Sequence, residues 1–247
     1  MDTKTPSQKQ ENITNKYGQS LGIPVPNWEA PNPPAEINSS GNHCRLELLS
    51  AKKHAIELYT ANAEDASTES WTYLPYGPFT SIQDYTQWLT EQASKSDQQF
   101  YAIIDLKTNK AVGLSAFLRI SPPAGSIEVG HLKFSPLMQR TPISTEAMYL
   151  MMKHAFELGY RRYEWKCNDL NQPSRSAAKR LGFQFEGIFR QALIVKEHNR
   201  DTAWFSVIDS EWPALAVAFE QWLSPMNFNE EGVQVERLSD IRDSLLP

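Results

Sequence analysis

The central part of the chain alternates between two hydrophobic periods. Residues 127–134 are rich in β-branched and aromatic side chains, which predicts a strand. Apolar residues then recur with the helical period over 143–158, and Gly159 ends that run. Apolar and charged residues alternate over 162–167, as in a half-buried strand, and 174–181 fits a short helix. The pattern predicts strand, helix, strand, helix and a further strand.

The flanking parts of the chain supply further elements of both kinds. Strands are predicted at 44–49, 100–104, 112–118, 188–195 and 203–208, and helices begin after Ser50, after Ser81 and at Pro213. We expect Asn199–Asp201 to form the turn of the last hairpin with an ion pair, and we expect the residues after the last helix to be a polar tail. This order predicts an α/β (α+β) protein.

Composition and charge narrow the class of protein. The 247 residues are 40% hydrophobic and 21% charged, an ordinary globular composition. A formal net charge of −5 argues against a nucleic-acid or anionic-membrane surface. Cys44 and Cys167 are the only cysteines, so we expect free thiols and no metal site. With no bilayer-spanning apolar run and no signal-peptide pattern, we expect a cytoplasmic protein.

Three regions follow from the changes in composition. Residues 1–43 form a polar, proline-rich N-terminal arm, of which about the first 16 are expected to be disordered. The apolar residues and prolines of 17–34 fit either an extended arm packed on the surface or a linker. We expect a single folded domain over 44–212, followed by a C-terminal helix and tail over 213–247.

The start of the long central helix is the first candidate site. Thr141 is a predicted N-cap and Pro142 takes the first helical position, directly after a strand and a turn. The free N–H groups and positive dipole end of a helix form an anion site. The sequence therefore predicts an anion-binding turn at this point.

Several motifs together carry a resemblance to a known family. They are Gln139–Ala147, Asn171–Ser174, Leu181–Phe183 and Glu186–Gly187. In order and spacing they resemble the GNAT superfamily of acetyl-CoA-dependent N-acetyltransferases, and in particular its ribosomal-protein alanine acetyltransferase branch. The resemblance covers residues 44–212, and the predicted element order is that of the GNAT fold. It implies a mostly antiparallel central sheet that is splayed at the coenzyme site and flanked by helices.

The resemblance also implies where acetyl-CoA binds. A loop equivalent to Gln139–Ser144 wraps the coenzyme pyrophosphate in the family. Pro142 stands where the family has glycine, and Ser144 where it has glycine or alanine, so one N–H donor is lost. The hydroxyl of Ser144 or Thr145 is a candidate replacement. The coenzyme-binding residues expected by resemblance are Leu132, Phe134, Gln139, Arg140, Thr141, Pro142, Ile143, Ser144, Thr145, Asn171 and Ser174.

Acyl transfer to an amine needs a base and a donor for the departing thiolate. Glu128 and His131 lie on the strand where several family members place their base, and regular alternation puts them on opposite faces. We expect Glu128 to be the base; a surface salt bridge for Glu128 and a packed role for His131 are the alternatives. Many family members use a tyrosine as the acid where this chain has Ala178. By resemblance, Ser174 takes that role, which is compatible with helix capping by Asn171.

An aromatic loop between the first two helices is the candidate acceptor site. Trp71, Tyr73 and Tyr76 lie there, and His131 is the fourth expected substrate-binding residue. Aromatic rings near carboxylates attract a cationic amine, while packing beneath the loop is the alternative for each ring.

Two functions from different classes remain open. The first is acetylation of a primary amine, on a protein N-terminus or a small molecule, with acetyl-CoA as donor. The second is a non-catalytic GNAT-fold module that binds an acyl-CoA or a protein partner. The sequence leaves open whether the protein is a monomer or a homodimer, and it does not identify the acceptor.

Overall fold

The computed structural model of the protein describes residues 13–37 and 39–245. Of the first 16 residues, expected to be disordered, 1–12 lie outside the described residues, and Thr14 forms an isolated β-bridge with Ser20. The strands are β1 Cys44–Leu48, β2 Gln98–Asp105, β3 Lys110–Ser121, β4 Ser126–Phe134, β5 Arg162–Asn168, β6 Gln184–Val195 and β7 His198–Ile208. The helices are α1 Ala51–Ala63, α2 Ile82–Ala93, α3 Pro142–Glu157, α4 Gln172–Arg180, α5 Trp212–Leu223 and α6 Leu238–Leu245.

All seven strands form one mixed sheet in the order β1-β2-β3-β4-β5-β7-β6. Neighbouring strands are antiparallel except β4 and β5, which are parallel and are joined through α3. A parallel pair needs such a crossover connection. The predicted fold class, a mostly antiparallel sheet flanked by helices, is confirmed.

The sheet buries both of its faces, as the alternation along β4 illustrates. Ile127 and Val129 point to the first face, where the larger core packs against α3, α4, α5 and α6. Glu128 and Gly130 point to the second face. On that face, α1 and α2 cover a smaller core around Phe100 and Leu114. Because successive strand residues face opposite sides, one strand serves two environments.

A buried carboxylate on α3 fastens the beginning of β1. Glu146 is 2% exposed, and its oxygens accept the backbone N–H groups of Asn42, His43 and Cys44 at 2.7, 2.6 and 2.7 Å. Gly41 lies so close that a Cβ there would be 2.2 Å from Glu146 Cδ. Three hydrogen bonds to one charged acceptor offset the cost of burying it. Glu146 thus connects the end of the N-terminal arm to α3.

Residues 32–37 of the arm lie against the first face, whereas most residues of 13–30 are exposed. The Tyr101 hydroxyl donates to the Ala35 carbonyl and accepts the Ile37 N–H, both at 3.4 Å, and the Tyr160 hydroxyl donates to the Asn32 carbonyl at 3.2 Å. Ile37 is 2% exposed within the larger core. These contacts agree with a packed arm rather than a free linker near residue 37. The boundaries at 43/44 and 212/213 stay a prediction.

Two expectations for the C-terminal third are wrong. The turn between β6 and β7 is Lys196–Glu197, both with positive φ, while Asn199–Asp201 lies within β7, where Asp201 Oδ1 accepts the Gln191 N–H at 2.7 Å. The polar tail contains α6, whose Leu238 and Ile241 enter the core. An apolar pair three residues apart is the weak signal of this short helix.

We expect Glu146→Gln to lower the free energy of unfolding by about 2 kcal/mol or more, because hydrogen bonds to a buried charged acceptor are lost. Urea unfolding monitored by circular dichroism measures the change. Glu157→Gln is the matched control on the same helix: its carboxylate is exposed and lies 3.9 Å from Lys153 Nζ, so we expect a change within about 0.5 kcal/mol. Equal effects of the two substitutions would contradict a fastening role for Glu146.

Candidate active site

The parallel strands β4 and β5 part after four residues. Ser126–Val129 pairs with Arg162–Trp165, and both strands continue beyond this point without pairing to each other. α3 follows the carboxyl end of β4 and α4 follows that of β5, so the first turns of both helices lie beside the gap. Ligands of open α/β sheets bind in such crevices. The gap is the candidate active site.

A β-bulge in β4 changes which side chains face the second side of the sheet. Ala116 pairs with Gly130 and Leu114 with Lys133, so two residues of β4, His131 and Leu132, oppose one of β3. His131 has a φ of 51°. The expected alternation is therefore wrong beyond Gly130. The extra residue turns His131 to the same face as Glu128, whereas Leu132 packs against the first face.

The two candidate bases, the Glu128 carboxylate and the His131 imidazole, have different surroundings. Glu128 is 3% exposed; its oxygens lie 2.7 Å from Arg119 Nη1 and 2.9 Å from Lys166 Nζ. Burial raises the pKa of Glu128, and the two cations oppose that rise. Lys166 also contacts Glu164 at 2.8 Å. Glu128 is a buried, ion-paired carboxylate and not a solvated surface one.

His131 lies among aromatic rings. Its Nδ1 is 3.2 Å from the Tyr76 hydroxyl, its ring stacks on that of Tyr76, and the Phe100 ring centroid is 4.8 Å away. Burial lowers the pKa of His131 to about 4, and the charges of Lys95 and Arg119 act in the same direction. The imidazole is therefore neutral at pH 7, in agreement with a packed role.

Ser174 lies where the two strands part. Its Oγ accepts a hydrogen bond from Trp165 Nε1 at 3.0 Å, and Trp165 is the last β5 residue that pairs with β4. Asn171 caps α4 by accepting the Ser174 N–H at 3.1 Å. Burial raises the pKa of the nearby Cys167 thiol, which a hydrogen bond from Ser174 opposes. Because Trp165 uses Oγ as an acceptor, the Ser174 hydroxyl acts as a donor with its own proton, toward the Cys167 sulfur in this structure.

The turn before α3 is held by hydrogen bonds of its own side chains. Gln139 Nε2 donates to the Phe134 carbonyl at 2.8 Å, and the Ser144 hydroxyl donates to the Thr141 carbonyl at 3.0 Å. Thr145 is 1% exposed and accepts a hydrogen bond from Arg180. Of the two hydroxyls proposed to replace the missing donor, Ser144 thus has its proton engaged, whereas Thr145 is engaged as an acceptor and is buried. Arg140, with a φ of 59°, is exposed at the turn.

The backbone of this first turn keeps its donors. Pro142 occupies the first helical position, and the Thr141 side chain does not cap the helix. The N–H groups of Ile143 and Ser144 have no acceptor within the helix, because the first turn of any helix lacks one. Two backbone donors therefore face outward at the end of the gap, which fits binding of a phosphate group.

The aromatic loop between α1 and α2 is packed more tightly than an open binding surface. Trp71 is 5% exposed, and its ring is covered by Lys133 Nζ at 4.5 Å from the centroid. Tyr76 packs against Trp88, with 4.2 Å between ring centroids. Only Tyr73 reaches toward α4, where its hydroxyl donates to the Leu170 carbonyl at 3.2 Å. The assignment of these rings to the acceptor stays a prediction.

Lys133 is a site residue that the sequence analysis missed. It is 2% exposed on β4, donates a hydrogen bond to Ser70 Oγ and supplies the cation for the Trp71 ring. Burial lowers the pKa of Lys133 to about 8, which the charge of Asp65 opposes. The apolar strand pattern around it gave no sign of a buried cation. Lys133 fastens the aromatic loop to β4.

The described residues contain neither a metal-binding cluster nor a membrane-spanning helix. Over 13–37 and 39–245, no group of three or more His, Cys, Asp and Glu side chains is placed to hold a metal ion. None of the helices in that part of the chain is long and apolar enough to cross a membrane. Both cysteines are buried free thiols.

The sequence profile of the acetyltransferase (GNAT) domain matches residues 45–184. A GCN5-related N-acetyltransferase from Brucella melitensis is 44% identical in sequence; the alignment covers 89% of this chain and all of that one, with a TM-score of 0.87. No curated protein sequence matches the chain. The chain belongs to the GNAT acetyltransferase family, and the resemblance drawn from its motifs is confirmed.

More distant structures share the fold. One is an acetyltransferase from Salmonella typhimurium that modifies the N-terminal serine of ribosomal protein L7/L12 (20% identity, 68% of this chain and 96% of that one, TM-score 0.58). Another is the microcin C7 self-immunity acetyltransferase MccE, in complex with acetyl-CoA and AMP (20% identity, 68% and 93%, TM-score 0.60). The ribosomal-protein branch is thus among the structural neighbours. At these identities the likeness concerns the fold alone.

Proposed function

We propose that the protein is an N-acetyltransferase that moves an acetyl group from acetyl-CoA to a primary amine, on a protein N-terminus or a small molecule. Family membership supports acyl transfer from an acyl-CoA to an amine in general. The observation that supports the finer statement is the position of Ser174 at the parting of β4 and β5, where Trp165 occupies Oγ as an acceptor and the hydroxyl proton can turn from the Cys167 sulfur to a ligand sulfur.

The chemistry assigns a role to each side of the gap. The neutral amine attacks the thioester carbonyl carbon and the carbon–sulfur bond breaks. The amine nitrogen loses one proton, and solvent supplies one proton to the departing thiolate. Ser174 donates a hydrogen bond to the sulfur, and its weak acidity limits this to stabilisation of the developing charge. Glu128 accepts the amine proton, directly or through water, because its raised pKa improves it as a base.

Acetyl-CoA fits the other end of the gap. The N–H groups of Ile143 and Ser144 bind the pyrophosphate, and Arg140 supplies a positive charge at the same turn. The backbone of Leu132 and Phe134 lies on the part of β4 that has left β5, so this edge is available to the pantetheine arm.

The non-catalytic alternative has specific observations in its favour. Pro142 removes one backbone donor from the phosphate turn, Ala178 stands in place of the family's tyrosine, and the hydroxyls of Ser144 and Thr145 are engaged within the chain. A binding module would keep its affinity for acetyl-CoA without releasing the thiol. Release of free thiol in the presence of an amine panel separates the two functions.

We expect acetyl-CoA to raise the melting temperature, because a ligand that binds the folded state at a hundredfold excess over Kd stabilises it by about 2.7 kcal/mol. Differential scanning fluorimetry measures the shift. Arg140→Glu should reduce it, whereas Arg237→Glu, the same charge change at an exposed site after α5, should leave it unchanged. No shift at millimolar acetyl-CoA would overturn the coenzyme assignment.

We expect Ser174→Ala to lower kcat at least about tenfold, or 1.4 kcal/mol in barrier, while the KM for acetyl-CoA changes less, because the bond strengthens as charge develops on sulfur. Steady-state thiol release measures both constants. Ser176→Ala is the control, since it removes an exposed hydroxyl from the same helix. A kcat within about twofold of wild type, or 0.4 kcal/mol, would leave Ser174 with a capping and packing role only.

We expect Glu128→Gln to remove the acidic limb of the pH profile of kcat/KM. A base acts when ionised, so the rate falls as pH drops through its pKa, and burial places that pKa above the ordinary value of 4.5. His131→Gln should retain the limb, because the pKa of His131 is about 4 and the imidazole is already neutral. If His131→Gln loses the limb and Glu128→Gln retains it, the base is His131. If neither matters, water and backbone groups remove the proton.

A further inference from the structure

One face of β7 carries a row of buried polar groups without partners. Arg200, Thr202 and Trp204 alternate with Ala203 and Phe205, which lie in the larger core on the first face, so the three polar residues share the second face. Among the described residues, Arg200 Nε, Thr202 Oγ1 and Trp204 Nε1 are buried and have no hydrogen-bond partner. Thr202 is 4% exposed.

Such a row calls for an explanation, because buried polar groups are almost always hydrogen-bonded. The next residue of the row differs: the Ser206 hydroxyl donates to Glu186 at 2.7 Å. The unpartnered groups are therefore confined to the end of β7 that lies toward Arg200. Two are donors only, Arg200 Nε and Trp204 Nε1, and a hydroxyl also donates. The ligand that satisfies all three is an acceptor.

The charges on the second face point to the same kind of ligand. Arg119, Lys166 and Arg162 each form an ion pair with a carboxylate of this face; the carboxylates are those of Glu128, Glu164 and Glu186. Arg200 is a fourth cation, for which the described residues supply no ion pair. Burial lowers the pKa of Arg200, as does Arg119, while Cys167 and Glu128 oppose this. The guanidinium stays protonated, so this cluster has four cations against three carboxylates, one positive charge in excess.

The excess charge belongs to the candidate base's own surroundings. Arg200 interacts with both Glu128 and its partner Arg119, and Lys166 lies over the Trp204 ring at 3.6 Å from the centroid. The unpartnered row and the ion-paired Glu128 therefore form one continuous polar surface beside the gap. A guanidinium next to neutral donors is suited to a carboxylate or a phosphate group.

We propose that Arg200, together with Thr202 and Trp204, binds an anionic group of the acceptor, so that the substrate is an amine carrying a carboxylate or phosphate. This inference rests on the proposed acetyl transfer and names the acceptor class for it. It replaces the expectation of a cationic acceptor drawn to aromatic rings, because the Trp71 ring already has Lys133 as its cation. Polyamines, which carry only positive charge, are the poorest acceptors.

The test compares acceptors that differ in one anionic group. The C-terminally amidated peptide Ala-Asp-Ala is compared with amidated Ala-Asn-Ala, so that the Asp side chain is the one carboxylate of the pair. β-Alanine and O-phosphoethanolamine are compared with ethanolamine, which separates peptide from small-molecule sources and carboxylate from phosphate. We expect wild type to show at least about a tenfold higher kcat/KM for the anionic member of one set. Arg200→Met should remove that preference, so that the kcat/KM ratio of the anionic to the neutral acceptor falls to within about twofold of one, whatever the effect of the substitution on the neutral acceptor alone.

Matched variants protect the result from effects on folding. Arg190→Met removes an exposed guanidinium from the neighbouring strand β6 and should keep the preference. Arg200→Lys should retain part of it. If Arg200→Met does not fold, Thr202→Val, which keeps the side-chain volume, should reduce the preference by itself. No preference in wild type, or an equal preference in wild type and a folded Arg200→Met, would overturn the proposal.

A binding readout separates this inference from the proposed function. Calorimetric titration with succinate and inorganic phosphate, which lack an amine, should detect binding to wild type and to Arg190→Met but not to Arg200→Met. Anion binding without turnover of any amine would retain the site and refute acetyl transfer. Turnover of amines with no anionic preference would retain acetyl transfer and refute the site.

Discussion

The parting of β4 and β5 is the constraint on which the rest of the site depends. A parallel pair that ends after Val129 and Trp165 leaves two strand edges with free backbone groups, and such groups must be satisfied by water or a ligand. Helices that follow parallel strands begin at the same edge, so α3 and α4 present their first turns there. The free backbone N–H groups at the start of α3 and the Ser174 hydroxyl meet at the gap for this topological reason.

α3 serves two structural purposes within its first turns. Ile143 and Ser144 present backbone donors at the gap, and three residues later Glu146 accepts three N–H groups from the start of β1. A helix start that must position a charged ligand has to be held rigidly. The buried Glu146 carboxylate supplies that rigidity by holding α3 to the start of β1, the strand at one edge of the sheet.

Hydrophobic periodicity predicted the main elements well, because strands such as Ser126–Phe134 and the helix Pro142–Glu157 each bury a regular set of positions. It failed where one residue breaks the period. The bulge beyond Gly130 inserts a residue with φ of 51° at His131, and a histidine carries no signal for that conformation. Lys133 likewise looked like a solvated strand residue, whereas its ammonium group lies under the loop that contains Trp71.

The charged cluster could not be predicted from the sequence. Arg119, Glu128, Lys166 and Arg200 come from four different strands, and more than 80 positions of the chain separate the first from the last. Their meeting changes the meaning of Glu128. A lone carboxylate attracts an ammonium group, but Glu128 belongs to a cluster in which four cations face three carboxylates, which leaves a positive local field. Such a field disfavours the protonated amine and favours its neutral, nucleophilic form. In the proposed reaction, with Glu128 as the base, these surroundings favour loss of the amine proton before Glu128 accepts it.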